Sequence, residues 1–178
     1  MAHTRNKLLI VDGYNVLRSG KRYKRNTDPD YTDDPYNAAR ERLLTDVVNF
    51  AGHEYKAIIV FDGAYNEFST GEAQTIGGVR IVFSPAGQSA DKVIEKLAHD
   101  ARERNVETLV VTSDATIQDT VFGQGVDRMS ADGFSHEVAQ YYDEVRLDES
   151  PQVKRKNTVA DRIDAATLAK LKALRDGK

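Results

Sequence analysis

Residues 8–15 read LLIVDGYN, a short apolar run that ends in an acid, a glycine and an amide. The apolar residues are consecutive and do not alternate with polar ones. Strands of a parallel sheet have this composition when helices cover both faces of the sheet. Residues 8–11 are therefore predicted to form a buried strand, with Asp12 at its carboxyl end.

The same kind of run recurs along the chain. Further apolar runs cover residues 57–61, 79–83 and 108–112, and residues 126–129 are a weaker strand candidate. The segments with helical periodicity are residues 36–50, 91–104, 115–122 and 134–142. Strands that alternate with helices imply a parallel sheet with right-handed crossovers. We predict an α/β fold, a three-layer α/β/α Rossmann-like domain with a mainly parallel central sheet.

The chain is expected to divide into a domain of residues 1–147 and a C-terminal tail and helix of residues 148–178. The tail is polar and carries a basic run at residues 154–156. A helix is predicted over residues 165–175, with a narrow stripe of leucines on one side. Such a stripe has to be covered. We expect this helix to dock on its own domain or on a partner.

Composition excludes several classes of protein. The chain has 178 residues, 25 of them basic and 28 acidic, with a net charge of −3 and no cysteine. Disulfide frameworks, thiolate zinc sites and cysteine nucleophiles are therefore excluded. No apolar run approaches the roughly 18 residues that a membrane span needs, and the N-terminus does not resemble a signal peptide. We expect a cytoplasmic protein without membrane contact. Its net charge by itself argues against a general nucleic-acid binder.

Acids follow the predicted strands at equivalent places. Asp12, Asp62 and Asp114 each come after a strand, and Asp91 opens the helix after another. Ligands of open parallel sheets bind beyond the carboxyl ends of the strands. Crowded carboxylates repel one another, and a divalent cation relieves that repulsion. Oxygen ligands favour Mg²⁺ or Mn²⁺, which could activate water against a phosphodiester. The alternative is that each aspartate merely forms a turn or caps a helix.

Polar neighbours accompany these acids. Asn15 lies close enough in sequence to Asp12 to orient its carboxylate or a bound water. Glu95 lies one helical turn after Asp91, on the same helix face. Asp119 lies about one turn after Asp114. The pattern therefore supplies candidates for groups that surround the acids as well as the acids themselves.

Four motifs carry a resemblance to a known family. They are VDGYNV (residues 11–16), FDG (61–63), GQSADKVIE (87–95) and VVTSDATIQD (110–119). In this order they resemble the bacterial YacP-like NYN-domain proteins, of the PIN-like nuclease superfamily, over most of the predicted domain. The resemblance implies a PIN-like fold and a metal-dependent endoribonuclease. Similar members are ribosome-associated and cleave translated mRNA, so the resemblance implies mRNA and the ribosome as partners.

The resemblance also implies roles for individual residues. Asp12, Asp91 and Asp114 match the metal-binding acids, and Asn15 matches the amide of the NYN signature. The residues expected around this group, in an outer shell, are Asp62, Glu95, Ser113 and Asp119. Asp119 departs from the pattern, because it lies one residue further from its partner acid than in some relatives. For Asp62 a structural role is the alternative, and for Glu95 it is plain surface exposure.

A cluster of basic residues follows the first acidic motif, with tyrosines interleaved. Its members are Arg18, Lys21, Arg22, Lys24 and Arg25, with Tyr14 and Tyr23. Cations bind phosphates, and aromatic faces stack on unpaired bases. We expect these residues to bind RNA at the rim of the site, the alternative being a solvated loop. Acidic and basic residues then lie at different places, and their charges cancel in the small net charge of the chain.

The leading interpretation is an endoribonuclease that uses Mg²⁺ or Mn²⁺ and leaves a 5′-phosphate and a 3′-hydroxyl. None of the four histidines lies beside an aspartate motif, so none is expected to act as a catalytic base. One alternative is a non-catalytic RNA- or ribosome-binding module. Another is a phosphatase or receiver domain. That alternative is disfavoured because Tyr14, and not an acid, lies two residues after Asp12, and because no P-loop is present.

Overall fold

The computed structural model describes residues 5–23, 37–63, 73–117, 123, 125–148, 167 and 169–170. The strands are β1 (Lys7–Asp12), β2 (Tyr55–Phe61), β3 (Ala73–Ile76), β4 (Val79–Phe83), β5 (Thr108–Val111) and β6 (Val126–Met129). The helices are α1 (Gly13–Ser19), α2 (Asn37–Ala51), α3 (Ala90–Glu103) and α4 (Ala131–Asp148). Each of the five predicted strands is present.

The strands form one sheet in the order β3-β4-β2-β1-β5-β6. All neighbours are parallel except β3 and β4, which pair antiparallel. β1 lies inside the sheet, where Leu9 is opposite Ala57 of β2 and Leu109 of β5. The predicted mainly parallel sheet is confirmed. Its order brings the carboxyl ends of β1, β2 and β5 side by side.

Two apolar cores flank the sheet and explain the consecutive apolar residues of β1. Leu9 and Val11 are fully buried in the core that contains α1, α2 and α4. Ile10 is fully buried in the opposite core, which contains α3. Because both faces are covered, every side chain in the middle of β1 is apolar. The three-layer α/β/α architecture is thereby confirmed.

Two elements differ from the sequence-based expectation. β3 was not predicted, because Ala73, Gln74 and Thr75 are exposed and form no apolar run. It exists through its pairing with β4 across the Gly77-Gly78 turn, where both glycines have positive φ angles of 61° and 81°. Such a turn matches the twist of a tight hairpin.

The second unpredicted element is α1, which starts at Gly13 directly after β1. A Cβ atom on Gly13 would lie 2.4 Å from Cε1 of Phe61, so only glycine allows this close approach of helix and strand. Without a connecting loop, the residues after Asp12 are held rigidly beside the strand end.

The end of the chain is described in part. α4 extends beyond the predicted residues 134–142 at both ends. Residues 115–117 are helical, as are Thr167, Ala169 and Lys170 within the predicted final helix. The basic run at residues 154–156 lies outside the described residues, and the domain boundary stays a prediction. Within the described ranges, no helix is long and apolar enough to cross a membrane.

Candidate active site

Asp12 is the innermost acid of the site. It ends β1, its residue is only 6% exposed, and its Oδ2 accepts a hydrogen bond of 3.0 Å from Oγ1 of Thr112. Burial raises the pKa of the Asp12 carboxyl to about 6. The Thr112 bond acts against this shift, whereas the charges of Asp91 and Asp114 add to it. Asp12 therefore lies in the field of both other predicted metal ligands.

Asp91 lies in the first turn of α3, on the rim of the same edge of the sheet. Partial burial raises the pKa of its carboxyl, and the charges of Asp114 and Glu95 raise it further. The charge of Asp62 acts in the same direction. The fold thus gathers the predicted acids from β1, α3 and the loops after β2 and β5 into one electrostatically coupled group.

Asp114 has a structural role in the segment after β5. Its Oδ1 accepts hydrogen bonds from the backbone N–H of Thr116 at 2.9 Å and from the Thr116 hydroxyl at 2.7 Å. Asp114 therefore caps the helical residues 115–117, which is the alternative that the sequence left open. A carboxylate has two oxygens with several lone pairs, so capping and metal binding are compatible.

Thr112 is a site residue that sequence reasoning missed. Its fully buried hydroxyl donates to Asp12 and accepts the backbone N–H of Asp114 at 3.1 Å. The hydroxyl therefore joins two of the predicted ligands. A signal was present, since a polar residue ends the apolar run of β5 directly before Ser113-Asp114.

Asn15 and Ser113 hold neighbouring elements together. Oδ1 of Asn15 accepts the backbone N–H of Ser113 at 2.7 Å, which ties α1 to the segment after β5. The backbone of Asn15 also donates to Asp12, which lowers the pKa of that carboxyl. Oγ of Ser113 accepts the backbone N–H of Ala131 at 2.9 Å, at the start of α4. These contacts position the acids.

The loop after β2 is anchored below Asp62. The buried hydroxyl of Ser84 accepts the backbone N–H of Gly63 at 2.8 Å, and its own N–H donates to the carbonyl of Phe61 at 2.9 Å. Asp62 is half-buried and close enough to raise the pKa of Asp91. This placement suits the outer position predicted for Asp62.

The carboxylates of this site are suitable ligands for a divalent cation, but they are not already arranged around a single metal position. In the part of the chain that the structure describes, no group of three acids or histidines lies close enough to hold a metal ion. Asp12, Asp91 and Asp114 nevertheless offer only oxygen ligands, and the charges of Asp91 and Asp114 add to the effect of burial in raising the pKa of Asp12. Hard divalent cations prefer such ligands. A cation here would draw the carboxylates together.

The predicted RNA-binding residues differ in their exposure and in their contacts. Arg18 is exposed at the end of α1, with its guanidinium 5.8 Å from the ring centroid of Tyr14. The half-buried Tyr14 ring packs against Phe61, with 4.9 Å between centroids. Lys21 is exposed in the turn after α1. Lys24 and Arg25 lie outside the described residues, as does Asp119.

The expectation that Tyr23 stacks on a base is corrected by its burial. Its side chain is fully buried in the core, and its hydroxyl donates to Oδ2 of Asp46 at 2.7 Å. Arg22 binds the same carboxylate through Nε at 2.7 Å and Nη2 at 3.1 Å. Tyr142 donates to it from α4 at 3.2 Å. Asp46, which the sequence analysis did not single out, therefore fixes the turn after α1 to α2 and α4.

Comparisons with known proteins agree with this fold. A family model described as "YacP-like NYN domain" matches residues 9–176. The chain is 30% identical over 131 residues to the YacP protein of Bacillus subtilis strain 168, with 74% of each chain covered. A crystal structure of Rae1 (YacP) from Bacillus subtilis is similar with a TM-score of 0.63 and 28% identity, covering 96% of this chain and 95% of that one.

A crystal structure of a Rae1 variant is similar with a TM-score of 0.64 and 26% identity, covering 94% of this chain and 99% of that chain. These relatives share the PIN-like fold, and the family match spans both the strands and the acidic motifs described above. The chain belongs to the YacP-like NYN-domain family, within the PIN-like nuclease superfamily.

Proposed function

We propose that this protein is a metal-dependent endoribonuclease that hydrolyses RNA phosphodiester bonds, with mRNA in a ribosome-associated setting as its substrate. The observation that carries the proposal is the gathering of three acids at the carboxyl edge of the sheet. The Thr112 hydroxyl bonds both the Asp12 carboxylate and the backbone of Asp114, and Asp91 lies close enough for its charge to raise the pKa of Asp12. Membership of a nuclease superfamily supports RNA as the substrate. The ribosome and a cytoplasmic location are proposed from the family resemblance.

In the proposed mechanism, Asp12, Asp91 and Asp114 hold Mg²⁺ or Mn²⁺. Such an ion supplies a more acidic water and stabilises charge on the phosphate oxygens. Thr112 and the backbone of Asn15 favour the ionised form of Asp12, because both donate hydrogen bonds to its carboxylate. Asp62 and Glu95 add negative charge around Asp91, which strengthens the local attraction for a cation.

Other residues orient the substrate in this proposal. Arg18 and Lys21 are exposed at the end of α1 and beyond it, and they contact RNA phosphates. Arg22 supports the turn through its ion pair with Asp46, which largely offsets its charge. Tyr14 presents an aromatic face that is half-buried beside Arg18. Residues 1–147 form the nuclease domain, and residues 148–178 form a tail and helix that dock on it or on a partner.

A cleavage assay with single-stranded RNA and Mn²⁺ tests the proposal. Asp91→Asn should lower the rate by at least about 10–100-fold, because loss of a proposed metal ligand should cost no less than loss of a group that only supports a ligand. Asp100→Asn is the matched control, because it removes the same charge near the other end of α3. A second assay uses mRNA on translating ribosomes as the substrate. Equal cleavage by Asp91→Asn and wild type, or cleavage that persists in EDTA, contradicts the proposal.

The second candidate is a non-catalytic RNA-binding module. It is favoured by the lack, among the described residues, of a preformed group of metal ligands. In that case the wild-type protein binds RNA or ribosomes but cleaves neither substrate, and Mn²⁺ does not change its affinity. The two functions are therefore separated by the same assay.

A further inference from the structure

A groove lies between the turn after α1, α2 and α4, outside the acidic site. It has a volume of about 530 Å³ and is lined by Lys21, Arg22, Arg42, Asp132, His136 and Ala139. We call it the basic groove. Pockets that bury ligands have volumes of about 300–1,000 Å³, so a nucleotide-sized group fits here. Arg42 and His136 were not among the residues that the sequence singled out.

The cations of the basic groove differ in how they are held. Arg22 binds Asp46 twice and lies 5.0 Å over the ring of Tyr142, so its charge is largely offset and its role is to support the wall. Lys21 and Arg42 are exposed. Among the described residues, no carboxylate forms an ion pair with either of them. These two side chains are therefore the ones available to an anion.

The groove begins next to the proposed catalytic edge. α1 starts beside Asp12 and ends just before Lys21, and its seven residues span about 10 Å. On the other wall, Asp132 accepts the backbone N–H of Lys21 at 3.2 Å, in the first turn of α4. That turn is tied to Ser113, the neighbour of Asp114. The groove therefore opens within a few nucleotides of the acids.

From this placement we infer that the basic groove binds the sugar-phosphate backbone of the RNA strand on one side of the scissile bond. Lys21, in the turn after α1, and Arg42, on α2, contact the phosphates. From Asp132 the groove continues along α4 past His136 to Ala139, which gives the bound strand its direction away from the acids. This inference rests on the proposed function, because it takes RNA as the substrate.

Binding of a labelled single-stranded oligoribonucleotide in EDTA tests the inference while cleavage is stopped. The double variant Lys21→Ala/Arg42→Ala should reduce the steepness of log K against log salt by about 1.4, since each phosphate contact on a single strand contributes about 0.7. Lys56→Ala/Arg104→Ala is the matched control. It removes the same side-chain types at exposed positions at the start of β2 and the end of α3.

The control should leave the slope unchanged, and thermal unfolding checks that both variants fold. An unchanged slope for the groove variant, an equal change in the control, or no salt-dependent binding by the wild type overturns the inference. Failure of the proposed function is distinguishable. If RNA binds through the groove but is never cleaved, only the function fails, and if RNA is cleaved while the slope stays unchanged, only the groove fails.

A second measurement locates the strand directly. The chain has no cysteine, so a single introduced thiol reports on one place. Ala139→Cys puts the thiol in the groove, and His99→Cys puts it on the exposed face of α3 in the opposite layer. The oligoribonucleotide should slow thiol modification several-fold at position 139 and leave position 99 unaffected. Equal modification rates with and without RNA at position 139 contradict the inference.

Discussion

The hydroxyl of Thr112 donates a hydrogen bond of 3.0 Å to the buried carboxylate of Asp12, across the boundary between β1 and β5. The two residues are a hundred positions apart in sequence. Thr112 also accepts the backbone N–H of Asp114. One hydroxyl therefore sets the position of the innermost acid relative to the loop that carries another.

Thr112→Val should lower both stability and activity. Loss of a hydrogen bond to a charged group costs about 1.5–3 kcal/mol of unfolding free energy. Misplacing Asp12 should lower RNA cleavage by about 10–100-fold, as for other groups that support metal ligands. Denaturant unfolding and cleavage rates measure the two effects. Thr112→Ser should restore most of each, and wild-type activity in the valine variant contradicts the role of Thr112.

The pKa of Asp12 predicts how the stability of the metal-free protein depends on pH. Burial raises the pKa of the folded-state carboxyl from 3.8 to about 6. A carboxyl whose pKa is raised by folding makes its full contribution to the free energy of unfolding at pH values below its pKa in the unfolded chain. That contribution is lost as the pH rises through the pKa of the carboxyl in the folded protein. Between about pH 4 and pH 7, wild type should therefore lose about 2–3 kcal/mol of unfolding free energy relative to Asp12→Asn.

Denaturant unfolding in EDTA across this pH range measures the difference. Asp127→Asn, at an exposed position on β6, is the control. Its free energy of unfolding should depend on pH in the same way as that of the wild type. If the difference in unfolding free energy between wild type and Asp12→Asn stays constant across this pH range, burial does not disfavour the charged Asp12 carboxylate.

Gly13→Ala should destabilise the protein. The added Cβ would lie 2.4 Å from a carbon of the Phe61 ring. Overpacking of this kind costs about 1–3 kcal/mol. Chemical denaturation measures the loss, and the double variant Gly13→Ala/Phe61→Leu should recover part of it. If the double variant is no more stable than the sum of the two single changes predicts, the close approach is not the cause.

Asp46→Ala should be among the most destabilising changes at a polar residue. It leaves the buried Tyr23 hydroxyl and the Arg22 guanidinium without their acceptor. Removing one partner of a fully buried ion pair costs about 3–5 kcal/mol, so we expect a loss near the lower end here, because the Arg22 side chain is 19% exposed. Tyr142→Phe removes a longer bond to the same carboxylate and should cost about 1.5 kcal/mol, the low end for a hydrogen bond to a charged group. Similar losses in the two variants contradict this ranking.

The sequence predicted the parts of the fold that depend on local pattern. The apolar residues of β1, β2 and β5 are consecutive because helices cover both faces of the sheet there, whereas β4 carries the exposed Arg80 and β6 the exposed Asp127 and Arg128. The meeting of the acids followed from the same pattern, since the carboxyl ends of parallel strands share one edge. The family resemblance added the roles of individual residues.

Features that depend on contacts between residues distant in the chain could not be predicted from the sequence. β3 is exposed and exists through its partner strand. α1 requires a glycine to fit against the Phe61 ring. Tyr23 looked like an RNA-stacking residue because it lies in a basic run, but Asp46 on α2 draws its hydroxyl into the core. The role of Thr112 appears only when Asp12 lies beside it.

The location of a bound metal ion tests the central claim most directly. Crystals grown with saturating Mn²⁺ and measured at the manganese absorption edge should give an anomalous peak among Asp12, Asp91 and Asp114. The peak should lie about 2.0–2.2 Å from the carboxylate oxygens, as for other small hard divalent cations. A crystal of Asp91→Asn should lose or weaken it. No peak at this edge of the sheet, or a peak only elsewhere, would contradict a metal-dependent nuclease site.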